Sequence, residues 1–206
     1  MVEVEHSEPK QRRKSLLLSR VTPGTALLVI GAIVVLRMWV VETAYVEGRS
    51  MQDTLQQGDR VLILKLLKRE RFAVVVVDDP EEGGTDIKRI VGMPGDVVSM
   101  VPQVAWIDRS TVIYSGSQLY LNSQPYEEPY ATATIPSSLP PMKVPKESYF
   151  VMGDNRDDSI DSRRYGPVKK EHVRGVAVAV VFPIDRIRIL TDVEASAANV
   201  AADTSR

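Results

Sequence analysis

The chain has 206 residues and a formal net charge of −1. That length suits one hydrophobic core, or one core with an insert, and the near-neutral charge excludes the strongly basic footprint of a nucleic-acid-binding domain. The sequence contains no cysteine, which excludes a disulfide framework, a zinc-thiolate site and a cysteine nucleophile.

An apolar run over residues 23–41 follows a polar amino-terminal segment, residues 1–22. Thr22 suits a helix cap and Pro23 the first helical position. At about 1.5 Å per residue, a helix over the run would reach about 28 Å, close to the ~30 Å hydrocarbon core of a bilayer. Basic residues precede the run: Lys10, Arg12, Arg13, Lys14 and Arg20. Because positive charge stays on the cytoplasmic side, the pattern predicts a single-pass transmembrane anchor with a cytoplasmic amino terminus.

The run has two other interpretations, a cleavable signal peptide and a buried core helix. The run is longer than the ~7–15 apolar residues typical of a signal peptide. A cut after Ala44 would also put Glu42 at a position that prefers small residues. The one-sided basic flank argues against a core helix, so a membrane anchor is the prediction.

The segment 42–190 changes to alternating and β-branched patterns. Candidate strands are residues 60–64, 72–77, 86–91, 97–101, 148–152 and 175–182, separated by Pro-, Gly- and Asp-rich turns. This pattern predicts a mostly β, antiparallel extracytoplasmic domain. Residues 102–147 are rich in proline and tyrosine and predict a loop-rich β-ribbon insert, and residues 191–206 predict a disordered tail.

Ser50 lies in a turn-like stretch between the apolar run and the strand at 60–64. A serine hydroxyl acts as a nucleophile only beside a base. Histidine is the usual base, but His172 stands in the charged sequence KKEHVR, which is typical of a solvated surface histidine. The alternative base is a neutral lysine.

Lys88 is the best candidate for such a base, because it lies within a predicted strand that ends at a Pro-Gly turn. Burial there would disfavour the charged form of the amine. Asp86, Lys88 and Ile90 share one face of the strand, since side chains alternate. Without further context, however, an exposed strand lysine is the commoner situation.

Residues 153–166, GDNRDDSIDSRRYG, form a third polar stretch after a buried-looking strand. A solvated loop or a calcium loop could have this composition. The regular ligand spacing and the closing glutamate of a calcium loop are absent, so no metal site is predicted.

Three stretches, in this order, resemble the motifs of the type I signal peptidases (leader peptidases). The serine motif S-M-x-P-T-L is similar to residues 50–55, SMQDTL. The lysine motif K-R-x-x-G-x-P-G-D is similar to residues 88–96, KRIVGMPGD. The third motif, G-D-N-R-x-x-S-x-D-S-R, is similar to residues 153–163, GDNRDDSIDSR. The resemblance extends over about residues 23–190.

The resemblance implies a serine–lysine dyad that cleaves signal peptides from exported preproteins after small residues, without a cofactor. Ser50 would be the nucleophile and Lys88 the general base, and Ser159 would hydrogen-bond to the Lys88 amine and orient it. The backbone N–H of Ser50, with help from Gly48, would hold the oxyanion. The implied location is the plasma (inner) membrane, with the lipid bilayer and preproteins as partners.

Four further residues receive weaker roles from the same resemblance. Asp161 and Arg163 would form an ion pair that supports the third motif. Met51 and Ile87 would line shallow apolar pockets for an extended substrate, which fits strand addition at a sheet edge.

Asp53 is a departure, because the family usually has proline at this position. A carboxylate directed toward Lys88 would favour the ammonium form and weaken the base, whereas an outward carboxylate would change little. This departure leaves open a second function, a non-catalytic signal-peptide-binding paralogue. A third alternative is a serine–lysine peptidase for one specialised precursor.

Overall fold

The computed structural model describes residues 22–80, 83–106, 112–133 and 135–190. Residues 1–21 of the predicted cytoplasmic segment and the predicted disordered tail lie outside the described residues. The chain divides into two units, Met1–Leu36 and Arg37–Arg206.

Helix α1, Pro23–Val40, forms where the apolar run predicts a helix. The Oγ1 atom of Thr22 accepts a hydrogen bond from the backbone N–H of Thr25 at 3.3 Å, as expected of a capping residue. The side chains of Leu27 and Leu28 are exposed. Within the described residues, no helix combines the length and the hydropathy needed to cross a bilayer, and the predicted transmembrane span is not confirmed.

The described residues contain twelve strands and one further short helix, α2 (Ser162–Tyr165). The strands are β1 (Val41–Tyr45), β2 (Arg60–Leu64), β3 (Val74–Asp78), β4 (Thr85–Gly92), β5 (Val97–Trp106), β6 (Val112–Leu121), β7 (Gln124–Tyr126), β8 (Leu139–Lys143), β9 (Ser148–Met152), β10 (Val168–Lys169), β11 (Val173–Phe182) and β12 (Arg188–Ile189).

Two antiparallel sheets carry these strands. The larger sheet has the order β1-β2-β11-β3-β4-β9-β10, with β12 paired to β11, and the smaller has the order β7-β6-β5-β8. All registered strand pairs are antiparallel. The predicted mostly β, antiparallel fold is therefore confirmed.

Strand β3 shows how the sequence builds the larger sheet. Its four consecutive valines are all buried, and side chains alternate between the two faces of a strand. Val74 and Val76 join one apolar cluster, whereas Val75 and Val77 join another. The sheet is thus covered on both faces near its centre. In the neighbouring strand β4, the six residues 87–92 are all buried.

All six predicted strands are observed, two with the predicted ends and four with shifted ends. Strand β1 was missed because it follows the apolar run without a turn signal. Strands β6, β7 and β8 come from the segment 102–147, where no strand bounds were predicted.

Candidate active site

Ser50 lies in the turn that joins β1 to β2. Gly48 has φ of +81°, a left-handed conformation that glycine adopts without a steric penalty. The turn is closed by a hydrogen bond from the N–H of Leu55 to the carbonyl of Met51 at 2.7 Å. The side chains of Met51 and Leu55 are buried in an apolar cluster that includes Ile63 of β2. These two anchors fix the position of the serine.

Lys88 directs its amine at this serine. The Nζ atom lies 3.1 Å from Oγ of Ser50, although the two residues lie on separate elements. Lys88 stands in β4, opposite Val75 of β3, and its side chain is only 2% exposed. Desolvation of this kind disfavours an ammonium as a general rule.

Asp86 opposes that effect. Its Oδ2 atom lies 2.8 Å from Nζ of Lys88, and its side chain is 32% exposed. A carboxylate at this distance favours the ammonium form. Position 86 was predicted to share a face with Lys88, but no role was predicted for it.

Ser159 does not make the predicted hydrogen bond to Lys88, so that prediction is not met in this structure. Its hydroxyl donates instead to Oδ2 of Asp161 at 2.8 Å. A charged acceptor gives the stronger hydrogen bond, and Asp161 is two residues away along the same loop. The partners of the Lys88 amine are Ser50 and Asp86.

Asp161 lies at the centre of the third motif. The Arg163 guanidinium donates to it twice, from Nε to Oδ1 and from Nη2 to Oδ2, both at 2.8 Å. The backbone N–H of Gly153 also donates to Oδ2, at 3.0 Å. Burial alone would raise the pKa of Asp161, but the hydrogen bonds and charge of Arg163, with the bonds from Gly153 and Ser159, hold it below its ordinary value.

Gly153 brings the third motif against the serine turn. A Cβ atom at this position would lie 2.3 Å from Oγ of Ser159 and 2.5 Å from the carbonyl oxygen of Ser50. That same carbonyl accepts a hydrogen bond from the N–H of Asn155 at 3.0 Å. Only glycine fits here, because a side chain would push the Ser50 backbone away from the loop.

A buried polar network ties the three motifs together, and it was not predicted. Arg89, next to Lys88, donates to both oxygens of Asp154 at 2.8 and 2.6 Å. Thr54 of the serine turn donates to the same carboxylate at 2.5 Å. The Arg89 guanidinium also lies 4.3 Å from the ring centroid of Tyr130. In the sequence, Arg89 directly follows Lys88, and Asp154 directly follows Gly153. These neighbouring positions within the motifs were the feature that could have indicated the network.

A groove of about 520 Å³ opens beside Ser50. Gly48, Met51 and Ile87 line it, and the role of Met51 and Ile87 as substrate contacts stays a prediction. The Met51 and Ile87 side chains are 2% and 9% exposed, so they form the apolar floor of the groove. Carboxylates also line it: Glu42, Glu47, Asp79 and Asp86.

Two residues considered during sequence analysis lie outside this constellation. The ring of His172 faces Asp78 and Glu171, at 3.5 and 3.8 Å, and is about half exposed. Asp53 has an exposed side chain and a φ of +78°. Among the described residues, no group of His, Asp and Glu has the arrangement of a metal site.

The arrangement has the parts needed for acyl transfer. It contains a hydroxyl, an amine in hydrogen-bonding contact with it, and a groove that leads to both. Within the described residues the backbone N–H of Ser50 has no hydrogen-bond acceptor. A free N–H at the nucleophile is the kind of donor that stabilises a developing oxyanion.

Comparison with known proteins gives consistent results. The family model "Signal peptidase, peptidase S26" matches residues 19–182. The chain is 33% identical over 187 residues to signal peptidase I of Bacillus licheniformis, covering 88% of this chain and 98% of the relative. It is 34% identical over 167 residues to a probable signal peptidase I-2 of Synechocystis sp., covering 76% and 70%. A solved signal peptidase I from Enterococcus faecalis V583 is 29% identical, with a TM-score of 0.38 over 53% of this chain and 97% of that one.

Proposed function

Because the chain belongs to the signal peptidase family, peptidase S26, and is therefore a serine endopeptidase, we propose that it cleaves signal peptides from exported preproteins with a Ser50–Lys88 dyad. The observation that carries this proposal is the 3.1 Å contact between Nζ of Lys88 and Oγ of Ser50, with the lysine side chain 2% exposed. A buried amine in contact with a serine hydroxyl is the arrangement that a lysine general base requires.

The reaction begins when the neutral amine of Lys88 takes the proton of Ser50 as Oγ attacks the scissile carbonyl carbon. The negative charge then develops on the carbonyl oxygen, where the N–H of Ser50 and the backbone at Gly48 stabilise it. Lys88 returns its proton to the leaving amine, which departs as the new amino terminus of the mature protein. Water then attacks the ester on Ser50, and Lys88 again acts as base.

The supporting residues keep these atoms in place. Arg163 holds Asp161, which accepts hydrogen bonds from Ser159 and from the backbone of Gly153. Ser159 thereby supports the loop against the serine turn, instead of bonding the amine itself. A misplacement of about 1 Å at a reacting atom lowers a rate by about 100-fold, so these contacts matter to catalysis although they touch no substrate.

The groove beside Ser50 is proposed to bind the preprotein as an extended strand. Its apolar floor, formed in part by Met51 and Ile87, would accept small residues before the cut. Extended peptides bind well beside sheet edges because their backbone groups can complete hydrogen bonds there, while shallow pockets select side chains.

Membrane association is part of the same proposal. The apolar run at residues 23–41 and the five basic residues before it favour a single-pass anchor with a cytoplasmic amino terminus. The catalytic unit would then work on the outer face of the plasma (inner) membrane, where preproteins emerge.

Cleavage of a preprotein with Ala-x-Ala before the cut, by the purified full-length chain in detergent micelles, tests this function. We expect Ser50→Ala and Lys88→Ala each to abolish cleavage. Lys170→Ala is the matched control, since Lys170 pairs with Glu147 at the surface. This variant should cleave the preprotein at the wild-type rate. Cleavage that survives both dyad substitutions would reject the proposed dyad, and an intact wild-type chain without cleavage of any preprotein would reject the proposed function.

A further inference from the structure

Asp86 is the one carboxylate in direct contact with the Lys88 amine among the described residues, at 2.8 Å. We propose that the Asp86 carboxylate, through this contact, favours the ammonium form of Lys88 and thereby sets the pH range in which the dyad works. This inference rests on the proposed function of Lys88 as general base. It assigns Asp86 as a positioning residue, because its effect reaches the substrate only through the lysine.

The local geometry makes this contact a consequence of the strand. Residues two apart on a strand have side chains on the same face, and β4 is continuous through Asp86 and Lys88. Strand β4 pairs with β3 on one side and with β9 on the other. This pairing fixes the backbone of β4, so the Lys88 amine and the Asp86 carboxylate lie on the same face of the sheet within contact distance.

Other charged groups near the amine are occupied elsewhere. Arg89 directs its guanidinium to Asp154, and Asp161 is paired with Arg163. Glu42, which lines the groove, pairs with Lys65 at 2.9 Å. Glu47 and Asp79 also line the groove, whereas the amine itself contacts Ser50 and Asp86.

The uncharged surroundings of Lys88 cannot replace Asp86. The serine turn offers only the Ser50 hydroxyl. Strand β3 presents four buried valines, and its last residue, Asp78, pairs with Arg174 at 2.6 Å. Facing β4 from the other side, β9 contributes Val151 and Met152, which are buried and apolar, while its one titratable residue, Tyr149, belongs to a separate apolar cluster.

Two opposing effects therefore act on the same amine. Burial favours the neutral form, and the carboxylate favours the ammonium form. The general base must be neutral when it accepts the proton of Ser50. Replacing the carboxylate by an uncharged group of the same shape removes only the second effect, so the neutral amine should form at lower pH.

The pH dependence of kcat/KM in Asp86→Asn measures this effect. An opposite charge at such a distance typically shifts a titration by one unit or more. We expect the acid limb of the profile to move to lower pH by at least about one unit, which is about a ten-fold gain in kcat/KM below the wild-type limb. On the alkaline plateau, wild type and Asp86→Asn should have the same kcat/KM. Asp86→Glu keeps the charge and should keep the acid limb of the wild-type profile. Glu70→Gln removes a carboxylate from the surface lysine Lys68, and it should also leave the acid limb unchanged.

A second measurement separates this proposal from the proposed function. The side-chain carbon signals of Lys88 in 13C-lysine-labelled full-length protein, assigned with Lys88→Arg, report its protonation without any substrate. We expect the midpoint to fall in Asp86→Asn and to stay in Glu70→Gln. A folded Asp86→Asn protein with an unchanged midpoint would overturn the role of Asp86. A shifted midpoint in a protein that cleaves no preprotein would support the role while rejecting the proposed function.

Discussion

Arg89 makes two parallel hydrogen bonds to Asp154, at 2.8 and 2.6 Å, with both side chains almost fully buried. Arg89 directly follows the proposed base in β4, and Asp154 directly follows Gly153, against which the Ser50 backbone is packed. Thr54 donates to the same carboxylate. This pair therefore joins the lysine strand, the serine turn and the third motif through one buried contact.

Arg89→Met should lower the free energy of unfolding by about 3–5 kcal/mol, because it leaves the Asp154 carboxylate buried without its partner. Urea denaturation measures this loss. Arg89→Lys is the matched variant, since it keeps the charge but cannot make the two parallel bonds. Arg89→Lys should be less destabilised than Arg89→Met. Its cleavage rate should still fall, because the two parallel bonds no longer hold the lysine strand and the serine turn in their relative positions. Equal stability of Arg89→Met and wild type would contradict this account.

Gly153→Ala should impair cleavage more than it impairs folding. The added Cβ would lie 2.5 Å from the carbonyl oxygen of Ser50 and 2.3 Å from Oγ of Ser159, so one of them must move. Overpacking of this kind typically costs about 1–3 kcal/mol of stability, and a shift of about 1 Å in the nucleophile would lower kcat by about 100-fold. Kinetics with one preprotein and thermal unfolding test both parts.

Gly31→Ala is the control for that experiment, since a Cβ there meets no heavy atom within 4 Å. It should keep the wild-type rate. A Gly153→Ala protein with normal kcat would show that the serine turn tolerates the displacement, against the packing argument.

The sequence predicted the elements of this site better than their contacts. It placed Ser50 in a turn and Lys88 in a strand because the alternating pattern on either side is strong. It also put Asp86 on the face of Lys88, since alternation is local. The hydrogen bond predicted from Ser159 to Lys88 was a long-range contact, and the structure shows that Asp161 takes the Ser159 hydroxyl.

The missed parts share a physical cause. The bounds of strands β6, β7 and β8 were not predicted, because these strands pair with one another or with β5 and prolines interrupt the pattern of β7 and β8. The bonds of Asp154 with Arg89 and Thr54 join residues far apart in the chain. A single sequence gives no measure of such contacts, because they depend on how the sheet brings the motifs together.

Asp53→Pro should damage the protein although the related family usually has proline at this position. Asp53 has φ of +78°, whereas a proline ring fixes φ near −65°. The turn would have to rearrange beside Ser50, which we expect to cost more than about 1 kcal/mol of stability and to lower kcat. Asp53→Gly is the matched variant, because glycine adopts a positive φ freely, and it should keep both stability and rate. A Pro variant as stable and active as the Gly variant would contradict the observed turn conformation.

The stability of the third motif should depend on pH through Asp161. Its carboxyl has a lowered pKa in the folded protein, against about 3.9 in an unfolded chain. A group with a lowered folded pKa contributes stability that is fully present above the unfolded value and is lost as the pH falls through the folded one. The wild-type free energy of unfolding should therefore decline below about pH 4.

Arg163→Gln removes the guanidinium whose hydrogen bonds and charge counteract the effect of burial on Asp161. The pKa of Asp161 should therefore rise. At neutral pH the variant should lose up to about 3–5 kcal/mol, because a buried carboxylate has lost its charged partner. The difference from wild type should narrow as the pH falls, since protonation of Asp161 removes the charge that Arg163 compensates. Arg163→Lys should lie between the two proteins, because it keeps the charge but not the paired hydrogen bonds. Urea denaturation over a pH series measures all three, and a difference between Arg163→Gln and wild type that stays constant with pH would show that Asp161 is not the titrating partner.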